Sequence, residues 1–387
     1  MTPGARVAAA AAILDTIREG TPAEMALTRW ARASRFAGSK DRAAVRDHVF
    51  DALRRWRSCA VLGGGESGRA RMIGLLRGEG TDPATLFTGD GHAPAPLSPA
   101  EDAAGAPPQG LDALDLPDWL WPLWQDSLGE AAEACAETLR HRAPVMLRVN
   151  TARMPREAAR QALADAGIVT VEAAIAPTAL IVTEGARRIA QSAPFLEGLV
   201  ELQDGASQAS ICELPDVTVE KILDFCAGGG GKALAMAARF GRAVTAHDAA
   251  PDRMKDIPAR AARAGARIAR ADMAAVQAAA PYGLVLTDVP CSGSGAWRRA
   301  PEGKWALTAA RLADLTASQD AILDRAAGLV APQGWLAYTT CSVLDCENRD
   351  RIDAFLNRHP GWSLSRDCRW LPGPEGDGFY LSVLARH

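Results

Sequence analysis

Hydrophobic and polar positions follow three different rhythms along the 387-residue chain. Over residues 1–62 the apolar side chains recur at helical spacing, which predicts a helical N-terminal part. Ser39, followed by Lys40 and Asp41, predicts the N-cap of a helix that runs through Arg57. The predicted core positions of this part are Ile13, Ile17, Trp30, Phe36, Val45, Val49, Phe50 and Leu53.

The middle of the chain changes character twice. Residues 81–118 are rich in Pro and Gly, which predicts a linker between a helical domain over residues 1–80 and the rest. A helix is predicted to start in the apolar cluster Trp119, Leu120, Trp121, Leu123 and Trp124. So dense a cluster favours packing over base stacking. Residues 119–215 are predicted as this helix plus a small α+β, RRM-like module, with strands at 145–150 and 179–184.

Beyond Val217, short strands alternate with alanine-rich helices. This rhythm predicts an α/β fold over residues 216–387, with a doubly wound, mainly parallel sheet. Such sheets bind ligands at the carboxyl ends of their strands, so functional residues are expected there. The predicted strands are KILDF (221–225), AVTAHD (243–248), ARIARAD (266–272), GLVLTDV (283–289) and GWLAYTT (334–340).

Composition and charge narrow the class of protein. The chain is 48% hydrophobic and 23% charged, which excludes wholesale disorder. No run of eighteen apolar residues occurs and VAAAAAIL runs straight into Asp15, so neither a membrane span nor a signal peptide is expected. Eight cysteines then indicate free thiols in a reducing cytoplasm. The net charge is −3, but the charges are unevenly distributed: residues 29–71 contain eleven Lys/Arg and four Asp/Glu. This basic stretch predicts either a phosphate-facing surface or a solvated helix face.

A glycine loop joins the first strand of the α/β part to a helix in ILDFCAGGGGKALAMAA (222–238). It is neither GxGxxG nor a Walker loop, but glycines let the backbone approach a ligand closely. Strand-end acids follow: Asp248 suits ribose hydroxyls and Asp272 suits the adenine amino group. Asp224 and Asp288 beside the loop favour cationic S-adenosylmethionine (AdoMet) over a pyrophosphate, although an NAD-dependent oxidoreductase would also explain the loop. The four glycines are Gly228, Gly229, Gly230 and Gly231.

Two cysteine motifs follow the fourth and fifth strands, TDVPCSGSG (287–295) and YTTCSVLDCEN (338–348). Cys291 and Cys341 are therefore expected beside the presumed methyl donor. A thiolate that adds to carbon 6 of a pyrimidine makes carbon 5 nucleophilic enough to accept a methyl group. Asp288 is the candidate donor to ring N3, and Lys232 could activate a thiol or hydrogen-bond the base. The residues alone leave open which cysteine attacks. The cysteines interpreted as packed thiols are Cys59, Cys135, Cys212 and Cys368.

Taken together, these motifs resemble the RsmB/Nop/Sun family of AdoMet-dependent RNA cytosine-5 methyltransferases. The resemblance covers residues 140–387 and includes LRVN (147–150) and LQDGASQAS (202–210). It implies a class I methyltransferase, Rossmann-like sheet. The segment RFAGSKDRAAVRDHVFDALRR is similar to the NusB-like RNA-binding domain of the RsmB branch, here shortened. The other matching segments are DFCAGGGGKALAM, AHDAAPDRM, TDVPCSGSGAWRRAPEGKW and AYTTCSVLDCEN.

The resemblance also implies roles for individual residues. Cys341 would attack carbon 6, and Cys291 would assist breakdown of the covalent RNA adduct. Asp288 and Lys232 would hold the flipped cytosine. The implied cofactor-binding residues are Cys226, Ala227, Gly228, Gly229, Gly230, Gly231, Lys232, Asp248, Arg253, Asp272 and Asp288. The implied RNA-backbone contacts are Arg298, Arg299 and Lys304.

The substrate implied by this branch is 16S ribosomal RNA. Transfer RNA is the alternative substrate, and a non-catalytic RNA-binding protein that retains the AdoMet fold is the alternative function. No metal is implied, and nothing in the sequence requires more than a monomer. One departure concerns the glycine loop, where the family usually has Ala-Pro-Gly-Gly-Lys-Thr and this chain has four glycines, Lys232 and Ala233. The backbone donors of the loop remain, so cofactor binding is expected to survive.

Overall fold

The computed structural model describes residues 1–216 and 221–387, so the predicted start of the α/β part at Val217 lies outside the described residues. The chain forms two compact units. The first contains Met1–Arg142 together with Trp297–Leu307, and the second contains Ala143–Ala296 and Thr308–His387. This division differs from the predicted boundaries at residues 80, 118 and 215. Among the described residues, no helix has the length and apolar character that crossing a bilayer requires.

The first unit is helical, and the predicted apolar spacing builds its core. Ile13, Val45, Val49 and Leu53 are buried, and Ile17, Trp30 and Phe50 pack against them in part. The prediction for Phe36 is wrong: its side chain is 74% exposed, because the preceding helix ends at Ala33 and the helical spacing ends with it. The helices are Pro3–Arg18, Ala23–Ala33, Ser39–Arg54, Trp56–Gly63, Gly68–Gly78, Pro99–Ala103, Gly110–Leu114, Trp121–Leu128, Ala132–Leu139 and Glu302–Ala306.

The helix predicted from an Ser39 cap through Arg57 starts and ends earlier. Gly38 is the N-cap, and its N–H donates to the Asp41 carboxylate at 3.3 Å. The helix ends at Arg54 because Arg55 leaves the helical region, with φ −115° and ψ 38°. A second helix then starts at Trp56. Local capping signals therefore located the helix but not its two ends.

The segment predicted as a linker, residues 81–118, packs within the helical unit instead. The Arg77 guanidinium donates to the carbonyls of Glu101 and Ala104 at 2.8 and 2.6 Å. Asp115 is completely buried and accepts from the Ser58 N–H and hydroxyl at 2.9 and 2.7 Å. These bonds satisfy polar groups of an irregular backbone and hold the stretch against the helical unit, although most of its residues are exposed or half-buried.

The tryptophan cluster of this unit is a packing cluster. Leu120 and Trp124 are completely buried. The Trp124 ring stacks on Trp297 with 6.0 Å between centroids, and its Nε1 donates to the Ala132 carbonyl at 2.9 Å. Trp119, by contrast, is 36% exposed. A buried indole with its N–H paired is the arrangement expected of core packing.

The second unit begins with a four-stranded antiparallel sheet. Its order is β2-β3-β1-β4, with β1 Val145–Val149, β2 Val169–Glu172, β3 Ala179–Glu184 and β4 Val200–Leu202. The sequence pattern located β1 and β3 but not β2 and β4, which are only four and three residues long. The accompanying helices are Arg156–Asp165, Ala193–Leu196 and Gly205–Cys212.

A seven-stranded sheet follows, in the order β10-β11-β9-β8-β5-β6-β7. Five strands are parallel, and each of them coincides with a predicted strand, so the α/β prediction is confirmed. The antiparallel hairpin β10-β11 at one edge was not predicted. The strands are β5 Ile222–Asp224, β6 Val244–Ala246, β7 Ile268–Arg270, β8 Tyr282–Asp288, β9 Val330–Thr340, β10 Trp362–Trp370 and β11 Phe379–Arg386. The helices of this part are Gly231–Phe240, Ile257–Ala264, Met273–Ala279, Ala309–Ala327 and Arg349–Arg358.

The strand order positions the functional residues. From β5 the chain adds β6 and β7 on one side, then returns to add β8 and β9 on the other. The reversal lies between β5 and β8, where doubly wound sheets open a crevice at their carboxyl ends. Asp224 ends β5 and Asp288 ends β8, so the two carboxylates lie at this crevice.

Candidate active site

The two motif cysteines meet at the carboxyl ends of neighbouring strands. β8 and β9 pair in parallel, and each is followed within three residues by its cysteine. The Sγ atoms of Cys291 and Cys341 are 3.4 Å apart, which is hydrogen-bonding distance for sulfur. Both side chains are partly buried. Two thiols fifty residues apart in sequence are thus brought into direct contact, as the motifs predicted.

The surroundings of Cys291 keep its sulfur protonated. The hydrogen bond with Cys341, together with burial, raises the pKa of the Cys291 thiol well above its ordinary value. A protonated Cys291 can donate to the Cys341 sulfur. Donation from a thiol stabilises an anionic acceptor, and an anionic sulfur is the nucleophilic form of cysteine. The Cys291 thiol is therefore in a position to donate to a sulfur anion on Cys341.

Lys232 and Asp288 form an ion pair in the same region. The Lys232 ammonium lies 2.6 Å from Asp288 Oδ2 and 4.9 Å from the centroid of the Phe379 ring. Burial alone would lower the pKa of Lys232, but the Asp288 charge and hydrogen bond raise it, with further contributions from Asp224 and then Cys341. The Thr339 hydroxyl donates to the other Asp288 oxygen at 3.2 Å. The site therefore holds a fixed cation and a fixed carboxylate.

Asp224 is a buried carboxylate without a counter-charge of its own. Its side chain is completely buried, and among the described residues no partner meets strict hydrogen-bond geometry with either oxygen, although the Lys232 charge and the Ala233 N–H are near enough to lower its pKa. Burial, with the nearby Asp288 charge, raises the pKa of Asp224 to about 7. An orphaned acceptor at a ligand crevice fits a ligand that brings a positive charge.

The raised pKa of Asp224 predicts that the stability of the protein depends on pH. Asp224 holds its proton in the folded protein up to about pH 7 but releases it near 3.8 when exposed. Stability therefore falls as pH rises through that window, by about 4 kcal/mol between its two ends. Asp224→Asn, a neutral isostere, should remove this component. Urea unfolding of the ligand-free protein at pH 5 and pH 8 should show about 3 kcal/mol of this change, because it covers the two pH units between 5 and 7. The exposed Asp314→Asn is the control. Equal pH dependence in wild type and Asp224→Asn would contradict the assignment.

The glycine loop is held by Asp248. The Gly228 N–H and the Ala250 N–H each donate to the Asp248 carboxylate at 2.9 Å, and Arg253 lies 3.3 Å from it. Gly228 and Gly230 have φ of +50° and +80°, in the region that favours glycine. A Cβ on Gly230 would approach the Ile257 side chain to 2.8 Å. The four-glycine loop is therefore built for a close backbone turn, and Asp248 fixes it while keeping acceptor capacity.

A cavity of about 670 Å³ opens beside this loop. It is lined by the predicted ribose and adenine acceptors, Asp248 and Asp272, together with His247, Met254 and Met273 among others. The exposed Asp272 also caps the following helix by accepting from the Ala275 N–H at 2.8 Å. The volume and the two acids at its wall suit a nucleoside. The roles assigned to Asp248, Asp272 and Arg253 toward a cofactor stay predictions.

The RNA-backbone residues suggested for the loop after Cys291 need correction. Arg298 and Lys304 are buried in the helical unit. The Lys304 ammonium donates to the Arg54 carbonyl at 3.3 Å, and burial lowers the pKa of Lys304 to about 8. Arg299 is exposed. Arg298 and Lys304 are buried because the segment Trp297–Leu307 belongs to the helical unit, where Trp297 stacks on Trp124.

The remaining cysteines have the environments of packed thiols. Burial raises the pKa of Cys59 to about 12 and that of Cys135 to about 11. Cys226, in the glycine loop, has its pKa raised above the normal range by burial and by the charge of Asp224. In the described ranges, no group of three His, Cys, Asp or Glu side chains could hold a metal ion.

Sequence reasoning missed several residues of this site. Phe379 comes from β11, which was not predicted, and Thr339 looks like any buried strand residue. Glu347 was part of a quoted motif but received no role, although it is completely buried next to both cysteine loops. The available signal was the position of Glu347 within the second cysteine motif, six residues after Cys341.

Comparison with known proteins agrees with this geometry. A family model described as 16S rRNA methyltransferase RsmB/F matches residues 212–384, and an RsmF/B-like ferredoxin-like domain model matches residues 116–187. The ribosomal RNA small subunit methyltransferase B of Vibrio cholerae is 35% identical over 283 residues, 70% of this chain and 65% of that protein. Its counterpart from Xylella fastidiosa is 32% identical over 292 residues, 70% of this chain and 68% of that protein. The match to the first of these thus spans less than two thirds of its length.

Solved structures show the same fold. The crystal structure of PH0851 has a TM-score of 0.77 at 22% identity, and the match covers 99% of each chain. A methyltransferase homolog protein from Pyrococcus horikoshii has a TM-score of 0.63 at 20% identity, over 72% of this chain and 97% of that one. The resemblance indicated by the cysteine and glycine motifs is confirmed. The chain belongs to the RsmB/F family of 16S rRNA methyltransferases.

Proposed function

We propose that this protein transfers a methyl group from AdoMet to carbon 5 of a cytosine in RNA, through a covalent bond between Cys341 and carbon 6. The observation that carries the proposal is the 3.4 Å contact between the sulfurs of Cys291 and Cys341 beside the Lys232–Asp288 ion pair. Methylation of a ring carbon needs a nucleophile to activate it, and a thiol pair next to a cation supplies one.

The residues divide the chemistry as follows. The Cys341 thiolate forms a bond to carbon 6, and the electron pair of the carbon 5–carbon 6 double bond moves onto carbon 5. Asp288 and Lys232 hydrogen-bond the polar edge of the ring and hold it in place. After carbon 5 is methylated, its proton passes to a base, the double bond re-forms, and the carbon–sulfur bond breaks to release the thiolate. Cys291, protonated beside the same sulfur, assists that release.

AdoMet fits the cofactor crevice on observations of this structure. The orphaned Asp224 carboxylate suits a cationic ligand, and the cavity beside Asp248 and Asp272 suits its nucleoside part. Bound AdoMet supplies an electrophilic methyl group. The glycine loop, Arg253 and Asp248 would hold it, while the ion pair of Lys232 and Asp288 faces the substrate.

A dinucleotide fits less well. Its pyrophosphate would bring negative charge near Asp224 and Asp288, and an oxidoreductase would give neither cysteine motif a task. Calorimetric titration with S-adenosylhomocysteine and, separately, NADH distinguishes the two ligands. The proposal expects heat of binding from S-adenosylhomocysteine alone, and binding of NADH alone would overturn it.

The relatives' names point to a substrate class. Both are ribosomal RNA small subunit methyltransferases B, so small-subunit ribosomal RNA is the proposed substrate, with transfer RNA as the second candidate. Ribosomal RNA and transfer RNA from a strain that lacks the protein should be incubated with it and AdoMet. Nucleoside mass spectrometry should then find new 5-methylcytidine in the small-subunit RNA. Methylation in transfer RNA only, or none, would reject this substrate.

The basic N-terminal region is the proposed RNA contact, but only part of it is available. Six of its eleven cations are engaged within the unit: Arg46 with Glu24, Arg54 with Asp51, Arg55 with Glu79, Arg57 with Asp112, Arg69 with Glu101 and Arg71 over the Trp56 ring. The others, in this fully described stretch, form no ion pair and are exposed: Arg29, Arg32, Arg35, Lys40 and Arg42, which we call the basic surface. The exposed Phe36 lies among them. Exposed cations around an aromatic ring suit single-stranded RNA.

Replacing two members of the basic surface should change the salt dependence of RNA binding. In Arg32→Gln/Arg35→Gln, the slope of log K against log salt should fall by about 1.4, because each lost phosphate contact contributes roughly 0.7 on single strands. Filter binding at several salt concentrations measures the slope. The control is Arg46→Gln/Glu24→Gln, which removes an ion pair without changing net charge and should leave the slope unaltered. If both double variants keep the wild-type slope, the basic surface does not contact RNA.

A further inference from the structure

Glu347 connects the two cysteine loops through one carboxylate. Its Oε1 accepts from the Ser292 N–H at 2.7 Å and from the Gln319 side chain at 3.1 Å. Its Oε2 accepts from the Ser342 hydroxyl at 2.6 Å and from the Ser292 hydroxyl. Ser292 and Ser342 each follow a motif cysteine directly. The same carboxylate therefore holds the residue next to Cys291 and the residue next to Cys341.

Glu347 itself is firmly fixed. The Tyr338 hydroxyl donates to its backbone carbonyl at 2.6 Å. The adjacent Asn348 accepts from the Thr340 hydroxyl at 2.6 Å and donates to the Ser342 carbonyl at 3.0 Å. These bonds tie the Glu347 backbone to the end of β9, immediately before Cys341. A shift of the carboxylate would thus move both loops.

No ion pair balances the charge of Glu347 in the described part of the chain. The side chain is completely buried, and no described residue forms an ion pair with it; its partners are neutral donors. Burying a carboxylate costs several kcal/mol more than burying an amide of the same shape. A glutamine could make most of these bonds, since serine hydroxyls also accept. Retaining an anion here points to a role for the charge.

We propose, on the basis of the proposed function, that Glu347 is a positioning residue that sets the separation of the Cys291 and Cys341 sulfurs and keeps Cys291 in its neutral, proton-bearing form. The proton of Cys291 then faces the Cys341 sulfur at 3.4 Å. The charge of Glu347 adds to the hydrogen bond and burial that raise the pKa of Cys291. Both effects come from one side chain because it lies between the two loops.

The test compares Glu347→Gln and Glu347→Ala with Asp350→Asn, an exposed acid three residues away. The first measurement is the pH dependence of Cys291 alkylation by iodoacetamide, read by peptide mass spectrometry in a Cys341→Ser background without RNA or AdoMet. Loss of the charge in Glu347→Gln should shift the half-alkylation pH down by about one unit. Asp350→Asn should leave it in place.

The second measurement is single-turnover methyl transfer with Cys341 present. Glu347→Ala should lower the rate about 100-fold, since a displacement of reacting groups by about 1 Å costs that much. Affinity for S-adenosylhomocysteine should stay unchanged. Glu347→Gln keeps most of these bonds, so its rate of methyl transfer should fall less than that of Glu347→Ala. The remaining activity of Glu347→Gln shows that this variant folds. Wild-type alkylation profiles in both Glu347 variants would overturn the proposal. A shifted profile in a protein whose wild type methylates no RNA would instead reject the proposed function and leave the control of Cys291 standing.

Discussion

Cys291→Ala protein mixed with AdoMet and substrate RNA is expected to accumulate a protein–RNA complex that survives denaturation, while Cys341→Ala forms none. In the proposed mechanism Cys341 makes the bond to carbon 6, so its loss should lower methyl transfer by about 10⁴-fold or more, as for other covalent nucleophiles. The same mechanism assigns release of the adduct to Cys291, so without Cys291 the bond should form but not break. Denaturing gel electrophoresis with labelled RNA measures both results.

The contact between the two sulfurs is the structural basis of the order that we propose. Cys291 has a raised pKa and can donate to Cys341 across 3.4 Å. The reverse pattern, with a stable complex in Cys341→Ala and none in Cys291→Ala, would assign the attack to Cys291. Cys212→Ala, which removes a partly buried thiol outside the two motifs, is the matched control and should behave as wild type.

The second large effect is expected for Asp288→Asn. The change leaves the Lys232 ammonium, whose side chain is 11% exposed, without its counter-charge at 2.6 Å. The Asp288 side chain is 35% exposed, so solvent screens part of the loss, and we expect a cost of about 1–3 kcal/mol rather than that of a fully buried pair. It also removes the carboxyl group that the proposed mechanism assigns to the ring, so methyl transfer should fall by about 10²–10⁴-fold. Steady-state methylation and thermal unfolding of the same protein measure the two losses.

The pair Lys232→Gln and Lys232→Gln/Asp288→Asn completes this test. If the ion pair acts as a unit, the double variant should recover part of the stability lost in Asp288→Asn, since no buried charge is left alone. Its methylation activity should stay low, because both groups that the proposal assigns to the ring are gone. Near wild-type methylation by Asp288→Asn would show that this carboxyl has no part in the reaction.

The sequence pattern was sufficient to predict the alternating strands and helices of the parallel sheet. The parallel strands, the glycine loop and the two cysteine motifs follow from alternation, from turn chemistry and from the rule that ligands bind at strand ends. That rule alone is enough to expect Cys291 and Cys341 at one edge, because β8 and β9 are neighbours. The acids Asp224 and Asp288 were found in the same way.

What failed depends on contacts distant in sequence. Residues 81–118 have the composition of a linker, yet long-range bonds from Arg77 and Ser58 pack them. A lysine is usually exposed, yet Lys304 lies in a chain segment that belongs to the helical unit and is buried there. Glu347 gains its role only because two loops separated by fifty residues meet at its carboxylate. A local sequence pattern does not predict contacts between segments that are distant in sequence.

The most direct test uses RNA in which the target cytosine carries fluorine at carbon 5. Fluorine cannot leave as the carbon 5 proton does, so the wild-type protein with AdoMet should stop at the covalent stage. Protease digestion and mass spectrometry of the complex then identify the attached sulfur. The account predicts a nucleotide on the peptide that contains Cys341 and none on the peptide that contains Cys291. Attachment at Cys291, or methylation of ordinary RNA without a trapped complex, would contradict it.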